Sequence, residues 1–503
     1  MAKKKGPGKR DKFTSPSIQN EIIDACYEIL TQKAISKFKT AKFYSILTDK
    51  TQDLTTIEQV TLCIRYVSEK NEGHHIVCED FLRFIPTDTT TGQGFDEASN
   101  MSGQYKRVQA IIRNNYAPHA LYVHCAAHSL NLAISITSNV PAIRDCLGTL
   151  ENVYNFLHTP KRKPILENTI EESDETLRTK SLKRLNLTRW VSKYEAVNDF
   201  YELFPFVYET LDEMRTSEKE AKNLKNAMDF EFLICLHIIN VIFQLSLPLS
   251  RELQRVNLDL VQAMDLAKDL REEVKRIRAK EDAFYEIYEA SKKIAENLDI
   301  EIKHKRIARR QKNRANPEVQ STKDYFHVTV FNPFLDFYIM DLGERFTKHE
   351  NILEGFSALF KHDLNEIEKV ADKFIKTVEF YQEFLTAGPH AVLVELEVWK
   401  GYLIRRGDIK PGNSLDALDH CPEENFPNIN VLLRILATLP VSTSTAERTF
   451  SSLKRIKTIL RNTTKENRLN RLAALAIHHD IAITADEVID ELSKKSRKLG
   501  FLL

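Results

Sequence analysis

The sequence predicts an α/β fold carrying a large all-α insertion and closed by C-terminal helices. Three observations lead there. Residues 41–85 hold short β-rich runs with polar breaks, no glycine occurs between Gly148 and Gly343, and residues 439–480 read as two capped amphipathic helices. The domain plan is a flexible basic tail over 1–14, the N-terminal part of an α/β core over 15–148, an all-helical insertion over 149–428 and a closing segment over 429–503.

At 503 residues the chain is long enough for two to four domains. Its 72 basic and 71 acidic residues leave a net charge of +1, so any nucleic-acid contact has to come from local patches. Seven cysteines are scattered without a C-x-x-C pair, which predicts reduced thiols in a nuclear or cytosolic setting and no zinc finger. No secretory leader and no apolar run long enough to cross a bilayer is read, so no membrane partner is expected.

Residues 1–13 contain six Lys/Arg among Gly and Pro, a tail suited to nuclear import or phosphate contact and equally to plain solvation. From Ser15 a helical period runs to Lys39 through Ile18, Ile22, Ile29 and Leu30. AKFYSILTDKTQD then reads as a buried strand ending at Asp49. VTLCIRYVS and HHIVCEDFLRFI follow as two more strands, completing a three-stranded meander. Three consecutive strands with an aspartate on the first are how an RNase H-like fold begins. Such a core needs a crossover and a fourth strand next, and a crossover takes at least about ten residues. Only the Thr- and Gly-rich stretch from Ile85 to Phe95 is available before Asp96, so the core is expected to be incomplete. QYKRVQAIIRNNY reads as a helix, ALYVHCA as a strand and SLNLAISIT as the next helix. Cys125-x-x-His128 is half a metal-ligand set, and packing at a strand–helix junction explains it equally.

The glycine-free region is rich in charged and apolar alternation, and 251–314 also lacks proline, so it predicts one or two long helices. Lys303, Arg306, Arg309 and Arg310 belong to seven cations within 303–314, a run that fits a phosphate backbone, a nuclear signal or a solvated helix end. Helices continue over 326–427 between Pro333, Gly343, Gly388 and Pro411. In the closing segment, Ser444-x-x-Glu447 and Thr463-x-x-Glu466 have capping-box spacing. Phe450, Leu453 and Ile456 line one helix face, Leu469, Leu472 and Leu475 a second.

STSTAERTFSSLKRIKT and LNRLAALAIHHD resemble the C-terminal block of hAT-family (hobo/Ac/Tam3) transposases and the host proteins derived from them. GQGFDEASNMSG resembles the family's second-aspartate block, Asp49-Lys-Thr-Gln-Asp its first, and Asn186-Leu-Thr-Arg-Trp190 its R-W block. Relatives with MYM- or THAP-type fingers are similar, but no finger is found here. The resemblance implies an RNase H-like core with Asp49, Asp96 and Glu447 as a catalytic triad that would bind Mg²⁺ or Mn²⁺. It also implies DNA contact through Arg189 and Trp190, whose indole suits base stacking, and a supporting role for Cys125 and His128. The helices bearing Phe450 to Leu475 would form the dimer, as a homodimer or with related hAT proteins. Lys50 departs from the family's usual Glu beside the first aspartate. Together with the short path to Asp96, it makes a non-catalytic, dimerising nuclear protein the expected function and an active DDE-type transposase the alternative.

Overall fold

In a computed structural model of the chain, the described residues are 15–52, 58–71, 73–87, 119–121, 123–136, 139–173, 177–185, 190–304, 321–346, 350–360, 364–407, 409–457 and 466–494. In chain order they form α1 (Pro16–Lys39), β1 (Tyr44–Gln52), β2 (Glu58–Asn71), β3 (His74–Thr87), α2 (Ala126–Ile136), α3 (Pro141–Leu157), α4 (Lys163–Glu171), α5 (Trp190–Glu202), α6 (Phe204–Met214), α7 (Lys219–Ala227), α8 (Phe230–Glu252), α9 (Leu260–Ala279) and α10 (Glu281–Asn297). Next come α11 (Thr322–Phe326), a π-helical turn (His327–Phe331), α12 (Asn332–Phe346), α13 (Glu350–Ser357), α14 (Leu364–Phe380), a 3₁₀ turn (Gln382–Phe384) and α15 (Pro389–Arg405). The chain closes with α16 (Ser414–Asp419), α17 (Pro427–Thr438), α18 (Ser444–Ile456), α19 (Glu466–Ile477) and α20 (Ala485–Ser493).

Contacts divide the chain into two units, one of Met1–Cys125, Val256–Val261 and Asn351–Leu503, the other of Ala126–Arg255 and Gln262–Glu350. The helices of 351–428 group with the first unit, whereas composition drew the insertion's end at 428. Low glycine reports helix content but not which core a helix packs into.

The first unit is built on the expected meander, an antiparallel sheet of order β1-β2-β3. The β2–β3 hairpin turns at Gly73, whose φ of +84° suits a residue without Cβ. At the other end of the unit's order, α1 begins as read, with Ser15 accepting the Ile18 amide and Pro16 in the first turn. Phe38 of α1 meets Tyr66 of β2 at 6.4 Å between ring centroids, and Lys33 pairs with Glu487 at 2.6 Å. α18 and α19 close a core of Leu47, Cys63, Phe81, Phe84, Ala446, Phe450, Leu453, Leu469, Ala473 and Ala474 on the sheet, against which Tyr27 of α1 also packs. ALYVHCA shows no strand among its described residues: 120, 121 and 123–125 are irregular, and Ala126 already opens α2. Its start is held elsewhere, because His119 bonds the Phe380 carbonyl through Nδ1 at 2.7 Å and Glu383 through Nε2 at 2.8 Å. The fourth strand of an RNase H-like core is therefore absent among the described residues. The helix expected over 104–116 lies outside them.

The second unit is all-helical around α8. Asp229 caps that helix by accepting the Phe232 amide at 3.0 Å, and α3, α5 and α10 pack on it. Contrary to the expectation from sequence, this 23-residue helix is long and apolar enough by length and composition to cross a membrane. Here it is a core helix: 67% of its apolar window is buried in the protein. The charged stretch after it forms α9 and α10, two long helices as read.

Candidate functional site

The start of α18 is where the C-terminal block meets the sheet. Leu47 and Asp49 lie two residues apart on β1 and so share a face, pairing with Cys63 and Thr61 of β2. That face is the one under α18: Leu47 and Cys63 enter the core with Ala446 and Phe450, and the hydroxyls of Thr61 and Thr449 meet at 3.1 Å. Asp49 thus stands across from a strand residue that touches the helix two positions after Glu447. Its charge is felt there, since the Cys63 thiol is pushed well up by burial first and then by Glu79, Asp80 and Asp49. Glu447 occupies the first turn of α18, where the helix dipole favours a carboxylate. The structure therefore brings two of the three candidate carboxylates to one end of the sheet. Asp96 lies outside the described residues.

Residues before α18 do not form the expected capping box. Thr443 is the N-cap and Ser444 the first helical residue, and the Glu447 amide donates to the Thr443 carbonyl at 2.9 Å. With the helix starting one residue earlier than the box requires, no side-chain cap bond forms at Thr443 among the described residues. The Thr443 amide donates instead to buried Cys125 at 3.3 Å. Cys125 thus steadies the helix that carries Glu447. His128 sits on α2, in the second unit. Thr463 lies outside the described residues. A full capping box does exist at Thr484 and Glu487, and the spacing T-x-x-E was there to be read.

Among the described residues no group of three His, Cys, Asp or Glu is placed to hold a metal. Asp49 and Glu447 do not make up a ligand set by themselves, so no step through Mg²⁺ or Mn²⁺ is derived.

The apolar faces assigned to a partner are largely occupied within the chain. Phe450, Leu453 and Leu469 are 7%, 1% and 1% exposed; Phe450 stacks near Phe84 at 6.2 Å. Ile456 packs partly buried on the same core, and Leu472 and Leu475 are half-buried. The amphipathic period marks an apolar face but not whose surface covers it, and within the chain the sheet covers much of this one.

Of the DNA-contact residues, Trp190 begins α5, while its side chain and Arg189, Arg306, Arg309 and Arg310 lie outside the described residues. Lys303 pairs with Glu301.

Sequence reasoning missed three polar devices around the sheet. Arg65, 2% exposed, pairs with Glu79 at 2.7 Å and donates to the carbonyls of Val256, Leu258 and Ala437. Burial pulls its guanidinium down, and Glu79 and Asp259 counter that. The signal was legible: Arg65 falls on the apolar alternation Thr61, Cys63, Arg65, Val67. Asp419 accepts the His75 amide at 2.7 Å and engages His75 Nδ1 at 2.9 Å and His74 Nδ1 at 2.6 Å. Arg434 donates to His75 Nε2 at 3.1 Å, so Nδ1 carries the proton and donates to Asp419. Burial raises the Asp419 carboxyl, but the His75 amide and both rings together hold it below its usual range. Finally, Asn470 of α19 accepts the Phe84 amide at 2.6 Å and donates to the Phe84 carbonyl at 2.9 Å, satisfying the free edge of β3 as a strand would.

A three-stranded sheet with a first-strand aspartate, roofed by C-terminal helices with a glutamate in their first turn, makes this a mostly helical protein with a small N-terminal sheet, an arrangement consistent with an RNase-like domain. Residues 2–91 match the ZMYM1/FAM200 RNase-like domain and residues 408–481 the hAT family C-terminal dimerisation region. The chain thus carries a segment similar to an RNase-like domain and one similar to the hAT dimerisation region. It is similar to the human protein named 52 kDa repressor of the inhibitor of the protein kinase, 25% identical over 96% of this chain and 68% of that one. The mouse protein of the same name is similar to the same extent, 25% identical over 96% and 68%.

Proposed function

We propose that this chain is a transposase-derived nuclear regulatory protein that works as a dimer, with DNA as a further partner and without DNA cleavage. The observation that carries the reading is the C-terminal region itself: 408–481 matches a dimerisation region, and α18 and α19 within it pack on the sheet core. The relatives' name, a repressor, supports regulation as the role. Lys50 follows Asp49 where the resembling hAT block has Glu, and that departure in sequence argues against catalysis. The test is the mass of the full chain in solution, together with Mg²⁺- and Mn²⁺-dependent nicking of duplex DNA. A dimer with no nicking supports the reading. A monomer overturns the dimer.

One observation favours a second reading. Asp49 and Glu447 flank the Thr61–Thr449 contact, the placement a DDE-type transposase site would use for two of its carboxylates. Nicking that disappears in Glu447→Gln would establish it, and equal activity in both proteins would end it.

A further inference from the structure

Helix α15 has two faces of opposite character. Its inner face is fastened to the dimerisation region. Trp399 is fully buried, donates Nε1 to the Leu359 carbonyl at 3.3 Å and meets Phe426 edge-on at 5.3 Å. Glu395 accepts the amides of Asn428 and Ile429 at 2.9 and 3.0 Å, and the Asn428 side chain at 2.7 Å. The outer face carries Val394, Val398 and Ile404 at 58%, 53% and 50% exposure. Three of the eleven exposed large apolar side chains among the described residues stand on this one helix, so the patch is a feature of α15 rather than the scatter every surface shows.

We propose that this outer face is part of the chain's self-association surface, with α15 of a second copy crossing it antiparallel at Gly401. The inference rests on the dimerisation reading of 408–481 and extends it to a surface outside that region. A second copy is the occupant for three reasons. The helix is locked through Trp399 and Glu395 to buried Phe426, Asn428 and Ile429, all inside the dimerisation region, so the stripe and that region share one packed body. Phe450, Leu453 and Leu469 are spent inside the chain, so they leave a partner little apolar surface, and the stripe on α15 supplies more. The face is also self-complementary under a two-fold axis, as an isologous contact requires. Crossing at Gly401 sets Val398 of each copy against Ile404 of the other, and exposed Glu397 against exposed Arg405.

Gly401 suits the crossing point. A Cβ there would meet only the guanidinium of Arg405, at 3.3 Å, so nothing in the chain itself requires glycine at this position. Its absent side chain does allow close backbone approach by a partner. A stable interface buries about 800 Å² on each partner, more than one helical stripe offers, so the stripe adjoins further surface on the dimerisation region.

The experiment is sedimentation equilibrium on the full chain and on Val398→Asp, Glu397→Arg, Arg405→Glu and the double reversal Glu397→Arg/Arg405→Glu. Circular dichroism and thermal unfolding check that each variant folds; all four sites are exposed, so the fold is expected to persist. Val398→Asp and each single reversal should raise the dimer dissociation constant at least about tenfold, and the double reversal should restore it. A native chain that dimerises while every variant matches it overturns the α15 surface and leaves the dimer reading intact. Weakening in the single reversals without rescue in the double overturns the crossing at Gly401. A native chain that sediments as a monomer overturns the surface together with the dimer reading.

Discussion

Arg65 and Glu79 form an ion pair of 2.7 Å across β2 and β3 with 2% and 6% of their side chains exposed. The same guanidinium holds Val256, Leu258 and Ala437 by their carbonyls, so one side chain ties two strands to α17 and to the segment Val256–Val261. Substituting Arg65 by Met leaves Glu79 buried and unpaired, and breaking such a pair costs about 3–5 kcal/mol. We expect Arg65→Met to unfold the first unit at much lower urea. Of the two tryptophans, Trp399 lies in that unit, so its fluorescence in a Trp190→Phe background reports it. Replacing both partners, Arg65→Met with Glu79→Leu, should recover a large part of the loss.

Asn470 predicts a more local effect. Its amide supplies both hydrogen bonds that the backbone of Phe84 needs. Asn470→Ala strands a buried amide and a buried carbonyl, each costing about 1–3 kcal/mol. Hydrogen exchange should speed up first at β3 and α19. Asn470→Asp keeps the acceptor for the Phe84 amide but sets a carboxylate against the carbonyl, and should destabilise as well, more at neutral pH than at acid pH.

His237 of α8 gives a pH prediction. Ser291 donates to the Ile287 carbonyl at 2.8 Å and meets His237 Nδ1 at 3.1 Å, so its oxygen accepts and Nδ1 bears the proton. Nε2 is then free to accept from the Tyr201 hydroxyl at 3.3 Å. Burial lowers the imidazole from 6.5 to about 4, against a smaller opposing hydrogen bond at Ile287. The unfolded chain therefore takes up the proton first as pH falls. Stability from this group is full above about pH 6.5, falls between 6.5 and 4, and levels below that, a loss on the order of 3 kcal/mol. His237→Phe should flatten that part of the pH profile of thermal unfolding. An unchanged slope would place the titration elsewhere.

Local chemistry was the legible part of the fold. Ser15 and Pro16 announce α1, and alternation with polar breaks announces the three strands, because those signals depend on near neighbours alone. What escaped depends on distant partners. The run 119–125 has strand composition, but His119 is anchored at Phe380 and Glu383 instead of in the sheet. The stretch 230–252 is interrupted by Glu231, His237, Asn240 and Gln244 and so lacks an unbroken apolar run, yet its mean hydropathy reaches the level of a spanning helix. Around the candidate site, Asp49 and Glu447 carry a motif signal in the sequence, whereas Arg65 is hidden within a run that otherwise reads as core.

The same distinction governs the closing helices, and it separates core from interface by experiment. An aspartate at an amphipathic position dissociates a dimer only if that position faces the partner. Leu469 is 1% exposed against Phe84 and Leu453, so Leu469→Asp buries an unpaired charge inside the chain. Its cost is several kcal/mol, and the expected outcome is loss of the folded first unit rather than a folded monomer. Leu472, three residues on and half-buried, has an edge open to solvent, and Leu472→Asp should keep the fold with a loss of about 1–3 kcal/mol. Trp399 fluorescence and sedimentation on the two variants read both quantities at once. A well-folded monomer from Leu469→Asp would mean that the α19 face docks on a second copy and that its packing on β3 is exchanged between chains.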